Sequence, residues 1–249
     1  MREQIDTIPV NEAFEAGDEC PFCALQRKAE QNTLRYVAGP GASYMEPDVR
    51  AATDKLGFCT SHTKKLYDYG NSLGAALILQ TYFAGLLEEF HAEAPKLTPG
   101  KRSLFAKKSA PDPDSYSARI LQKADSCFIC DRVDYHMHRY FLTFFHLVKD
   151  AEFRQKVEAS KGFCMKHFAM LMQQADAMLP KGQTAWFYET IPALTEKNLL
   201  RVKGDLDWFI AKFDYRNASA DWKNSKDALS RTMQKLQSLY PADPPYKKD

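Results

Sequence analysis

The chain has 249 residues, 45% of them hydrophobic and 12% aromatic, which is enough to bury a core for one large or two small domains and excludes a disordered chain. Its net charge of +2 creates no field that would gather nucleic acid or an anionic membrane. No apolar run approaches the roughly 20 residues needed to span a bilayer, and Met1 to Val10 carries charges and a proline where a signal peptide would have an apolar stretch. A cytoplasmic protein with no membrane partner is expected. Its six cysteines should then stay reduced and act as metal ligands or redox groups.

In chain order, the first chemical motif is Cys20-Pro21-Phe22-Cys23. Good helix formers from Ala24 to Val37 predict a helix, ended by the breaker cluster Ala38 to Gly41. Pro47 can open a returning helix at its first turn, running to Leu56. Gly57-Phe58-Cys59-Thr60-Ser61-His62 follows, then helical stretches over Lys64 to Tyr69 and Leu73 to Ala94. Residues 95–117 contain Pro95, Pro99, Gly100, Pro111 and Pro113 with Lys96, Lys101, Arg102, Lys107 and Lys108, and read as a flexible linker.

The pattern then repeats. Cys127-Phe128-Ile129-Cys130 leads into a helix over Asp131 to Val148, a turn at Lys149-Asp150, and a returning helix over Ala151 to Ser160. Gly162-Phe163-Cys164-Met165-Lys166-His167 matches the earlier motif and precedes a helix over Phe168 to Met178. Thr184 to Phe213 carries a broad apolar stripe and forms one long helix, or two joined at Pro192. Asn224, with Asp227 three residues later, suits the N-cap of a last helix reaching Leu239. No alternating β-branched run suggests a sheet. The expected fold is all-α: two metal-clipped helical-hairpin repeats plus a C-terminal helical segment packed together. The expected divisions are a first repeat at 1–94, the linker at 95–117, a second repeat at 118–180, C-terminal helices at 181–240 and a fraying tail at 241–249.

Both halves hold C-x2-C, a gap of 35 or 33 residues, and C-x2-H. Four ligand-type residues that keep their order and nearly their spacing point to an internal duplication. The candidate ligands are Cys20, Cys23, Cys59 and His62, then Cys127, Cys130, Cys164 and His167. Cys3His sets hold zinc tetrahedrally with no open position, so two structural zinc ions are expected, each contributing on the order of 10 kcal/mol to folding. The simplest pairing clips each helical hairpin shut across its own ends, while pairing across the repeats stays open. A thiol–disulfide pair or an iron–sulfur cluster is the alternative, and buried cysteines acting as plain hydrophobes are a third reading.

The remaining histidines carry less. His136, His138 and His146 lie among aromatic residues on one helix, and His91 ends an acidic one; all read as ordinary surface or core residues. The stretch from Trp208 to Arg231 is rich in polar and aromatic groups. Lys212, Asp214, Arg216, Lys226 and Arg231 could hold a small anionic ligand, or these residues could cap helix ends and pair with one another.

The order C-x-x-C, GFC-x-x-H, C-x-x-C, GFC-x-x-H, with Lys212 to Asn217, Asn224 to Ala228 and Arg231 behind it, resembles a bacterial family of uncharacterised proteins, domain of unknown function family 6062. The resemblance spans nearly the whole chain, matches at all eight ligand positions, supports the metal sites and adds no activity. The functional expectation is a zinc-binding scaffold or adaptor for an unknown protein or small-molecule partner. The alternative is an iron–sulfur or thiol redox protein or enzyme; enzymatic and nucleic-acid-binding roles are disfavoured.

Overall fold

The computed structural model describes residues 6–41, 43–97 and 112–238. Among them are eleven α-helices, three short 3-10 turns and no strand. The helices are α1 (Thr7–Glu15), α2 (Pro21–Ala38), α3 (Pro47–Leu56), α4 (Thr60–Asp68), α5 (Ser72–Glu93), α6 (Tyr116–Asp125), α7 (Phe128–Leu147), α8 (Ala151–Ala159), α9 (Met165–Met178), α10 (Thr184–Ala211) and α11 (Ala228–Gln237). The spacing of apolar residues explains why they are helices. On α7, Ile129, Val133, Met137, Tyr140, Phe141 and Phe144 are all buried, recurring at three- and four-residue steps along one face.

The chain divides into two compact units, the first formed by the described residues of 1–29 and 135–243 and the second by those of 30–134. Neither unit coincides with a sequence repeat, because the boundaries fall inside α2 and inside α7. The first unit is built on phenylalanines. Phe22 stacks on Phe141 with ring centroids 4.3 Å apart, and Phe14 meets Phe144, Phe153 and Phe163 at 5.8, 5.2 and 6.2 Å. Rings at these separations add roughly 0.5–1.5 kcal/mol per pair beyond burial. In the second unit α3 packs against α5. Arg50 donates to the Leu77 carbonyl at 2.8 Å, and Thr81 donates to Asp54 at 2.8 Å.

Several boundaries differ from expectation. Helix α1, which is not among the elements expected from the sequence, holds Pro9 in its first turn, where the missing N–H of proline costs nothing. The expected linker at 95–117 is partly structured, because a 3-10 turn covers Ala94–Lys96 and α6 begins at Tyr116. Residues 98–111 and the tail at 241–249 lie outside the described residues. Helix α10 runs through Pro192 without a break. Asp227, not Asn224, occupies the N-cap position of α11.

Candidate metal centres

The eight predicted ligands gather into two groups. Cys20, Cys23, Cys164 and His167 meet in the first unit, and Cys59, His62, Cys127 and Cys130 meet in the second; within each group the donor atoms all lie within 4.8 Å of one another. Each group therefore takes its C-x2-C from one half of the chain and its C-x2-H from the other. The clip within each hairpin does not form, and the helix lengths give the reason. Outgoing α2 has 18 residues against 10 in returning α3, and α7 has 20 against 9 in α8. At about 1.5 Å per residue the returning helices fall about 12 and about 16 Å short of the level where the outgoing ones began.

All four motifs use one local device. The leading cysteine stands immediately before a helix, and its partner is the third helical residue. The carbonyls of Cys20, Cys59, Cys127 and Cys164 accept from the N–H groups four residues on, at 3.2, 2.9, 3.0 and 2.8 Å. One turn of helix thus presents two ligands at an N-terminus, where free N–H groups and the positive end of the helix dipole favour thiolate. Gly57 and Gly162, in the two GFC motifs, have φ of +60° and +68°, conformations open to glycine that let the chain turn into the ligand-bearing helix.

The donor spacing suits one tetrahedral ion. His62 Nδ1 lies 3.3, 3.3 and 3.4 Å from the sulfurs of Cys59, Cys127 and Cys130, with Cys59 and Cys130 Sγ 4.0 Å apart. His167 Nδ1 lies 3.5, 3.5 and 3.2 Å from Cys20, Cys23 and Cys164, with Cys23 and Cys164 Sγ 3.6 Å apart. A tetrahedron with bonds of about 2.3 Å to sulfur and about 2.05 Å to nitrogen has edges of about 3.8 and about 3.6 Å. Both groups could hold a metal ion.

The family model for DUF6062, a family of unknown function, matches residues 1–243. The chain belongs to this family. No curated protein and no solved structure matches it.

The two centres of this DUF6062 protein differ in their surroundings. In the first, Cys20, Cys23, Cys164 and His167 are 0 to 1% exposed, and the His167 ring lies against Phe22 and Phe141 at 5.8 and 6.3 Å. Hydrogen bonds from Cys20 and Cys23 hold the Cys164 thiol down at about 3, while the bond to Cys164 pushes the Cys23 thiol far up. In the second, Cys59 and Cys130 are half-buried. His62 Nε2 lies 2.7 Å from Glu30 Oε1, which also accepts from Lys65 Nζ at 2.5 Å. Burial opposes the charging of His62, but hydrogen bonds to Cys127 and Glu30 prevail and raise it to about 10. Burial likewise opposes ionisation of Cys127, yet the His62 contact and backbone N–H groups lower it to about 6. Cys130 is pushed up to about 12 by burial and the neighbouring Cys127.

Sequence reasoning missed the residues around the ligands. Glu30 is one. Another set surrounds Glu19, 4% exposed and next to Cys20, where Arg201 reaches its Oε2 at 2.5 Å and Lys235 at 3.5 Å. Lys235 is 1% exposed and donates to the carbonyls of Glu19 and Lys161 at 2.6 and 2.7 Å. It thereby ties α11 to the two loops that lead into Cys20 and Cys164. Burial lowers the pKa of Lys235.

Of the five residues considered for a small ligand, four make contacts within the protein. Lys212 donates to the carbonyls of Asn217 and Ala218 at 2.6 and 3.0 Å and to that of Ala220. Asp214 pairs with Arg216 at 2.6 Å. Arg231 pairs with Asp205 and Asp227, each at 2.8 Å, and donates to the Asn224 carbonyl. Lys226 is exposed. The KFDYRN stretch therefore braces the turn between α10 and α11. His138, His146 and His91 are exposed, and the His136 ring sits between Tyr135 and Tyr140 at 5.6 and 6.3 Å.

Proposed function

We propose that this protein binds two zinc ions, that both are structural, and that the zinc-fastened helices form a scaffold or adaptor for a protein or small-molecule partner. One observation carries the reading: four donors at tetrahedral spacing in each group leave no coordination position for a substrate, which is the mark of a structural site. The contact of His62 Nε2 with Glu30 adds support, because a carboxylate behind a ligating imidazole fixes its ring and its tautomer. Donors within 4.8 Å of one another suit a single ion better than a cluster of several irons. Four helix starts built alike fit an origin by duplication.

Elemental analysis of protein purified without oxygen tests the reading. Two zinc ions per chain are expected in a colourless protein, and strong chelators should remove them with loss of helical circular dichroism. Fully folded, metal-free protein would sink the proposal. Visible absorption with iron in place of zinc would move the assignment to the iron–sulfur or redox alternative.

A further inference from the structure

Two centres with the same ligands would behave alike if ligand type alone decided their chemistry. Their burial differs. All three sulfurs of the first centre belong to residues buried to 1% exposure or less. In the second, only Cys127 is buried, and the two half-buried cysteines, Cys59 and Cys130, come from different helices with their sulfurs 4.0 Å apart. Thr60, Ser61 and Thr63 beside Cys59, and Asp131 and Arg132 beside Cys130, are exposed. A small oxidant therefore has a path to this pair. Its susceptibility follows exposure and thiolate character.

We propose that the second centre is an oxidation-sensitive zinc site, in which peroxide joins Cys59 to Cys130 as a disulfide and releases the ion, while the first centre keeps its zinc. The inference rests on both centres holding zinc. The chemistry balances with hydrogen peroxide as the oxidant. One thiolate attacks a peroxide oxygen, giving a sulfenic acid and hydroxide. The second thiolate attacks that sulfur, forming the S–S bond and expelling a second hydroxide. The two sulfurs together lose two electrons, the O–O bond takes them up, and two protons from the buffer turn the hydroxides into two waters. Zinc is left with one thiolate and one imidazole and dissociates. The sulfurs have to close from 4.0 Å to a bond of about 2.05 Å.

The experiment uses the full chain, purified without oxygen and assayed for zinc before any oxidant is added. Hydrogen peroxide is then supplied with a chromophoric zinc indicator, and the product is digested and mapped by mass spectrometry. One zinc per chain is expected to leave at least about tenfold faster than the other, with Cys59 linked to Cys130 and with Cys20, Cys23 and Cys164 still open to alkylation after denaturation. Both ions leaving together, or a first disulfide containing Cys20, Cys23, Cys164 or Cys127, overturns the proposal and leaves the zinc assignment standing. Absence of zinc before oxidation overturns both. Restoration of the second zinc by a thiol reductant separates the reversible disulfide from irreversible damage.

Discussion

Glu30 Oε1 accepts from both His62 and Lys65, so the carboxylate is held on one side while it orients the imidazole on the other. Glu30→Gln keeps the shape and removes the charge. It should weaken zinc binding at the second centre by about 10–100-fold with no change at the first, as read by competition with a chelator of known affinity. Protonation gives a second test. Without metal, the thiolate of Cys127 contributes stability above its ordinary value of 9.0, lost as pH falls through about 6; protonated His62 contributes below 6.5, lost as pH rises through about 10. Metal requires neutral His62 and ionised Cys130, which sit at about 10 and about 12, so loading near neutrality releases at least two protons. Zinc affinity at this centre should rise by at least about 100-fold per pH unit, checked by titrations at pH 6 and 7; a flat profile contradicts it. The eight ligands were legible because their spacing recurs. Glu30 was not, since it lies 32 residues from His62 and only folding brings the two together.

At the scale of elements, the returning helix α3 was readable to the residue, because Pro47 opens it and Gly57 closes it. Helix α6 starts just after Pro111 and Pro113, which read as loop, and none of its residues is buried. Helix α11 is fixed by contacts no local rule reports: Lys235 bonds to carbonyls 216 and 74 positions away. The turns before the C-x2-H helices depend on glycine more strictly than their sequences suggest. At Gly162, with φ +68°, an added Cβ would lie 3.1 Å from the Leu194 carbonyl oxygen of α10. Gly162→Ala should therefore cost about 1–3 kcal/mol, measured as a lowered midpoint in thermal unfolding of the metal-loaded protein. A variant as stable as wild type would show that the turn can relax.

Over the whole chain, the pairing of C-x2-C with C-x2-H was the feature the sequence left open, and helix length decides it. The unequal runs are visible in the sequence, 14 residues from Ala24 to Val37 against 10 from Pro47 to Leu56; that they keep the two ends of a hairpin apart shows only in the folded helices. Because all four ligands of each centre lie in one unit, the two ions should be independent. Cys164→Ser is expected to halve the zinc content and destabilise the first unit while leaving the second ion with its ordinary affinity. Loss of both ions from that variant would show the units to be coupled.

The crossed pairing also bears on how the chain matures as it is made. Once residue 62 has emerged from the ribosome, Cys20, Cys23, Cys59 and His62 already make a complete Cys3His set, yet in the folded protein they fall in two different groups. If the sites take zinc as proposed, an ion captured by that set before the helices form would have to be given up as Cys127, Cys130, Cys164 and His167 complete the two native groups. The second centre closes a span of 65 to 71 residues and the first one of 141 to 147. That doubling costs only about 0.6 kcal/mol in chain entropy. The order of arrival, more than loop length, is what the nascent chain has to overcome.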